Sequence, residues 1–517
     1  MAAVIMMASV FLSRVIGLFR EMAIAYIGGA TAAVDAYQVA FILPEILNHV
    51  AASGFLSITF IPIFAKYLAS NDTDQGWQVF SDIMVVFGGV LCMLTMAAWL
   101  AAPQLVAVLA PGMADAAVRD LAVTMTRIIL PAQVFFFAGG LLMAVQYANA
   151  SFFIPALAPL VYNAGIIAGG LLLGPRLGMV GFAWGVLGGA FVGNLVIQWA
   201  GARRMGMRLR PRFSLSHPDF RRYILVSLPL IVGLTMTFST EVFLKFFGSF
   251  LPPGSIAALN YGLRVVFMLV GIFGQAIGVA AFPFMSRLAA ENRITEMNDL
   301  LNQSLRYLAL LIPVSILLMV LRNEVVVVLF QQGRFDAAAV RITADTLPWL
   351  LIGAVAFASQ TVVVRGYYAM QDTLFPSLFG SLAVVASLPI YVLGLRWFGV
   401  AGVATAIAVS AWLQVGVLYL LWNRRSSNDG AGDVLRSFAR LTVVGIVIGG
   451  IVWGGKQALW TDSLVQGKLH SMMAAVVVSS AYLLLLVIGG KLAGVPEISQ
   501  GVARVHDRLR QRKLRSR

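Results

Sequence analysis

The chain has 517 residues, 60% of them hydrophobic and only 11% charged. Soluble domains carry roughly 25% charged residues, so this composition excludes an ordinary soluble enzyme and points to a polytopic membrane protein. The net charge of +15 would suit nucleic acid. Its basic residues, however, sit in short segments between apolar runs, as in cytoplasmic loops under the positive-inside rule, so no nucleic-acid partner is expected. Cys92 is the single cysteine, which excludes a disulfide framework and a cysteine metal cluster.

The N-terminal MAAVIMMASVFL lacks a basic n-region and a cleavage site, and its apolar pattern continues past Arg14, so it reads as a retained first span. At about 20 apolar residues per crossing, spans fall near 3–28, 33–64, 78–102, 121–147, 154–174 and 179–200. Eight more follow near 222–249, 255–285, 299–321, 340–368, 375–396, 399–422, 435–455 and 469–492. The expected fold class is therefore an all-α polytopic membrane protein with about fourteen transmembrane helices.

Orientation follows from the arginines. The 203–221 loop and the start of span seven hold Arg203, Arg204, Arg208, Arg210, Arg212, Arg221 and Arg222 against Asp219. Arg424, Arg425, Arg436 and Arg440 flank the loop before span thirteen, and the 496–517 tail adds seven more basic residues. All three segments share one side if both termini are cytoplasmic, as expected for a multi-pass protein of the bacterial cytoplasmic membrane. The tail reads as a basic helix on the anionic lipids of the inner leaflet.

An internal repeat is visible at a constant offset of 221 residues. Pro62 matches Pro283, Tyr147 and Pro155 match Tyr368 and Pro376, and Gly178 and Gly181 match Gly399 and Gly402. A duplicated six-helix unit predicts an N-lobe over 1–202, a C-lobe over 222–424, a two-helix appendage over 425–495 and the tail. Six is even, so the copies share orientation, the parallel-repeat arrangement of transporters with a midplane site.

Ionisable side chains at bilayer depth cost roughly 2.5–3.5 kcal/mol each on insertion scales and normally face a wet cavity or a partner. The first two spans carry Arg14, Arg20, Glu21, Asp35, Glu45 and His49. Arginine suits phosphate because its fork donates bidentate bonds and stays charged when buried. Arg14 is read as lining an anion cavity. For Arg20, a local pair with Glu21 or Asp35 that only staples helices is an equal alternative. Arg264 in span eight has no acid within a turn, and with Arg14 would grip an anion from two sides. Glu241 and Lys245 form an i,i+4 pair, which either neutralises itself or forms a cavity wall that re-pairs during a conformational change. Glu45, Asn48 and His49 share a helical face, as cavity lining or as a packing patch. APGM (110–113) and LFQQGRFD (329–336) read as outer turns. No Walker loop, nucleophile elbow or HExxH motif is present, so no catalytic residue, metal or cofactor is expected.

SRVIGLFRE, DAYQVAFILPEIL, FIPIFAKY, APGM, YANASFFIPALAP, LFQQGRFD and YYAMQDTLFP together resemble the MurJ (MviN) lipid II flippases, collinearly over almost the whole chain. That family shares its superfamily with MATE exporters and Wzx-type flippases. The resemblance implies two six-helix lobes and a final helix pair. It also implies alternating access moving undecaprenyl-pyrophosphate-linked peptidoglycan precursor, lipid II, to the outer leaflet, with cell-wall synthesis proteins as further partners. It assigns substrate binding to Arg14, Arg20, Asp35 and Arg264. The chain also departs from the pattern: Asn48 and His49 stand where many members have arginines, Ser53 stands for a glutamate, and Leu263 and Phe267 for acids beside Arg264. Glu241–Lys245 is not a family feature. Either charges were lost together, with Lys245 restoring one, or the cargo is another polyprenyl-pyrophosphate glycan. A MATE-like small-molecule antiporter would want an unpaired acid, and a scaffold would be indifferent to Arg14.

Overall fold

The structure, a computed structural model, describes residues 2–51, 60–209, 235–459 and 463–498. Among these every element is an α- or π-helix, as lipid requires of a chain whose backbone must satisfy its own hydrogen bonds. Nine helices there are long and apolar enough to cross a bilayer, or ten if Ala337–Leu351 and Ala354–Ala369, bent by 44°, make one span. Leu374–Ser426 breaks at Gly399 (φ 55°, ψ −124°) and so carries the expected spans eleven and twelve. The expected spans one, two and seven are not among the helices that pass that test. Span one is the charged helix Ala2–Gly28. Span two is split into Ala32–Ala40 and Ile42–Ala51, and span seven is described from Thr235–Gly248 onward.

The repeat is written into the backbone. Left-handed residues recur at the same 221-residue offset: Asn71 and Asn292 (φ 56° and 60°), Ala150 and Gln371 (54° and 60°), Gly178 and Gly399 (57° and 55°), and Gly206 and Ser427 (80° and 51°). Each closes a helix end, where a left-handed residue lets the chain reverse. Three of these pairs hold a non-glycine residue, for which the conformation is strained. Identical turns at equivalent places mean that the same helix lengths and connections are built twice.

Contacts divide the described chain into one unit of Met1–Ala257 with Gln332–Asp336, and another of Ala258–Gln331 with Ala337–Arg517. The helix Thr235–Gly248 thus groups with the first unit, whereas the repeat counts it with the second half. The physical reason is polar pairing: Lys245 and the amides of residues 254–257 bind acids of residues 35–45.

Within the first unit, Phe60, Phe64, Trp77, Phe80 and Phe137 form an aromatic core, with edge-on pairs such as Trp77–Phe80 at 5.4 Å. Asp72 starts the helix Thr73–Leu100 by accepting the Gln75 amide, a water-facing N-cap. The helices Phe153–Leu177 and Met179–Ala190 touch backbone to backbone, and a Cβ on Gly169 would stand 2.4 Å from Gly185 Cα. Glycine there replaces side-chain burial with close dispersion contact, the usual currency of helix pairing in lipid. In the second unit, Leu317, Val320, Leu441, Ile448, Val478 and Tyr482 join the last two helices to Leu311–Val320. The buried Glu324 holds Lys456 at 2.7 Å in the same layer.

Candidate functional site

The charged residues of the first unit are placed by helix ends. Glu45 lies in the first turn of Ile42–Ala51 and Lys245 in the last turn of Thr235–Gly248. Each charge therefore has the sign its own helix dipole favours. Lys245 is almost wholly buried, 1% exposed, and its Nζ donates to Glu45 Oε2 at 2.9 Å. Glu241 Oε2 stands further off, at 3.5 Å. The i,i+4 pair expected from sequence is thus the weaker half of a three-residue cluster. The Lys245 ammonium is held by both carboxylates, so it is committed to acids in this conformation. His49 Nδ1 lies 2.7 Å from the Glu45 carbonyl oxygen, which ties its ring to its own helix. Asn48 is half-buried beside it.

Arg20 spans two partners. Its Nη2 donates to Glu21 Oε1 at 2.7 Å and its Nη1 to Asn163 Oδ1 at 3.0 Å. Asn163 in turn donates to the Pro159 carbonyl. Between the two readings of Arg20, the observed contacts are those of a helix staple. Asp35 is held by backbone amides. Its carboxylate accepts the backbone amides of Gly254 and, at 2.7 Å, Ala257, whereas Arg20 holds Glu21 and Asn163. It caps the residues that open the next helix, 219 positions away in sequence, because a carboxylate satisfies amides that a helix start leaves unpaired.

Arg14 differs from these. It is exposed on the helix Ala2–Gly28 and has no acid or hydrogen-bond acceptor among the described residues. Arg264, in the second unit, is half-buried, and its Nε donates to Asn260 Oδ1 at 3.2 Å. Asn163 and Lys456–Glu324 escaped the sequence reading because their partners lie over a hundred residues away. Arg365 did not have to escape: an arginine in VVVRGYYAM is visible as a cation inside span ten. Among the described residues no cluster of three or more His, Cys, Asp or Glu could hold a metal ion.

A duplicated set of membrane-crossing helices, with arginine and lysine held on spans and partnered by acids and amides, defines a polytopic membrane transporter. Within that class, the chain belongs to the family described as lipid II flippase MurJ, which matches residues 24–495. Arg14 and Arg20 precede the matched stretch. The chain is 29% identical to the lipid II flippase MurJ of Burkholderia cenocepacia over 496 residues, 93% of this chain and 96% of that one. It is 26% identical to the probable lipid II flippase MurJ of Vibrio cholerae, over 87% of this chain and 88% of the relative. Among solved structures, a lipid II flippase MurJ in an inward closed conformation superposes with a TM-score of 0.75 at 20% identity, covering 94% of this chain and 99% of that one. An inward-facing multidrug-resistance MATE transporter reaches 0.65 at 14% identity, over 80% of this chain and 94% of that one. At those identities the structures establish the shared fold.

Proposed function

We propose that this protein flips lipid II, the undecaprenyl-pyrophosphate-linked peptidoglycan precursor, from the inner to the outer leaflet of the bacterial cytoplasmic membrane by alternating access. Family membership supports the substrate class, and one observation carries the assignment to a site: Arg14 stands exposed on a span with its guanidinium uncommitted. A pyrophosphate accepts bidentate bonds from such a fork without competing against a protein carboxylate. Arg264, held by an amide oxygen, is the second binding residue in this reading. Arg20 and Asp35 shape the site without touching the cargo. Both termini are cytoplasmic, which sets the arginine-rich segments on the side where the cargo is loaded. Direction comes from outside the binding event, because a ligand shifts the equilibrium only by its differential affinity for the two states. Each unit charge moved across 100 mV is worth about 2.3 kcal/mol, so the membrane potential is a sufficient driver for a cationic cavity.

Complementation tests this. The protein is expressed in cells depleted of their own lipid II flippase, beside Arg14→Ala and Arg264→Ala at equal membrane levels. Rescue by the wild type with failure of both variants supports the reading. Rescue by all three refutes the site, and no rescue by correctly inserted wild type redirects the assignment to another polyprenyl-pyrophosphate glycan, the alternative that Asn48 and His49 favour.

A further inference from the structure

In the second unit, the helix that begins at Ser255 widens into a π-helical turn over Val270–Gly274 before continuing as Gln275–Ala290. Such turns leave backbone groups without their regular partners and recur at functional sites. Here the Gly274 carbonyl accepts Thr361 Oγ1 at 3.0 Å, which ties the turn to the helix Ala354–Ala369. One turn further along that helix, Arg365 crosses back. Its Nη2 donates to Gln275 Oε1 at 2.8 Å, and its Nη1 reaches the Thr361 carbonyl at 3.5 Å. The guanidinium lies in a recess left by Gly278, where a Cβ would stand 1.9 Å from Nη1.

Both partners of Arg365 are neutral. Arg287, Arg293, Arg306, Arg425 and Arg436 of the same unit each hold a carboxylate, whereas Arg365 holds none among the described residues. A guanidinium offers five N–H donors, so two occupied ones leave a fork with full positive charge and open valences. The side chain is half-buried, on a span, and three residues before the exposed Tyr368. A charge positioned by an amide, a hydroxyl-bearing turn and a missing side chain, yet left unneutralised, is arranged to receive an oxyanion.

We infer that Arg365, oriented by Gln275 and seated against Gly278, is a phosphate-binding residue of the second unit, separate from Arg14 and Arg264. On the proposed orientation it lies toward the cytoplasmic end of span ten, where a phosphate on a lipid arrives first; this placement rests on the flippase reading above. The same chemistry fits the pyrophosphate of a polyprenyl cargo and the phosphodiester of an anionic bilayer lipid.

The test uses the full-length protein in phosphatidylcholine nanodiscs, titrated separately with undecaprenyl pyrophosphate and with phosphatidylglycerol, and read by native mass spectrometry. Arg365→Gln removes the charge. Gly278→Ala keeps it but displaces the guanidinium, so the two variants fail for different structural reasons. Arg436→Gln removes an exposed, carboxylate-paired arginine as a control. We expect both site variants to weaken at least one probe by roughly tenfold or more, the size of a lost hydrogen bond to a charged group, while the control changes neither. Loss confined to the pyrophosphate makes Arg365 a cargo contact, loss confined to phosphatidylglycerol makes it a bilayer-lipid contact, and loss of both makes it a general phosphate site. Wild-type binding that Arg365→Gln leaves intact for both probes overturns the inference while the flippase reading stands. A wild type that binds neither probe overturns both.

Discussion

Replacing Lys245 by methionine keeps its length and removes the ammonium that Glu45 and Glu241 both hold. Taking an effective dielectric constant near 20, the gross attraction of Lys245 is roughly 6 kcal/mol toward Glu45 at 2.9 Å and roughly 5 kcal/mol toward Glu241 at 3.5 Å. Most of each is cancelled by desolvation, and removing one member of a fully buried pair costs about 3–5 kcal/mol. Glu45 is 30% and Glu241 20% exposed, so water takes up part of the released charge, and about 2–3 kcal/mol is expected for Lys245→Met. Glu45→Gln should cost about 1–2 kcal/mol, because Lys245 retains Glu241 and the amide oxygen still accepts. The two single changes break the same Lys245–Glu45 contact, so a double-mutant cycle should show a coupling of about 1 kcal/mol or more. Thermal unfolding in detergent, followed by tryptophan fluorescence under one heating rate, measures all four proteins. Costs that add to within about 0.5 kcal/mol would mean that the Lys245–Glu45 contact does not organise this unit, and the reasoning fails.

Other outcomes follow from single features. Asp35→Ala should lower stability by about 1–2 kcal/mol through lost capping of Gly254 and Ala257; normal stability with lost transport would return Asp35 to the cargo site. Gly178→Ala meets nothing within 4 Å, so only its backbone conformation (φ 57°, ψ −135°) resists, at about 1–3 kcal/mol. Gly402→Ala would set a Cβ 1.9 Å from the Gly394 carbonyl oxygen, and should unfold at a clearly lower temperature than Gly178→Ala; equal midpoints would refute the close packing. Lys456→Met removes the ammonium that Glu324, fully buried at 0% exposure, holds at 2.7 Å. Limited proteolysis should then cut between the last two helices at lower protease concentration than in wild type, and an unchanged digestion pattern would contradict the anchoring role of the pair.

Much of the architecture was legible because punctuation in a membrane helix is conspicuous. Gly178 and Gly399 announce the repeat by composition, and both prove to be left-handed. Ala150, Gln371 and Ser427 also take a positive φ, without any compositional sign, since the turn between two packed helices imposes it on whatever residue stands there. The charged residues were legible as a set, because each is costly in lipid, but their partners were not. Nothing local to Glu45 indicates a lysine 200 residues later, and nothing near Asp35 indicates that its acceptors are wanted at Gly254. Where partners were adjacent, as in Arg20 and Glu21, sequence reasoning had the pair as one of two choices, Glu21 or Asp35, and left open both the choice and its purpose.

The distance between Glu45 and Lys245 also sets a timetable for biogenesis. Ribosomes add roughly 5–20 residues per second, so the 200 residues separating the pair take roughly 10–40 s to synthesise at that pace. Throughout that interval the opening helices are in the membrane with Glu45 lacking its lysine and Asp35 lacking the amides it will cap. The young chain must therefore be sheltered, by the insertion machinery or by neighbouring water, until its seventh span arrives. A nascent protein arrested before Lys245 lacks both the ammonium that Glu45 holds and the amides that Asp35 caps in the finished one.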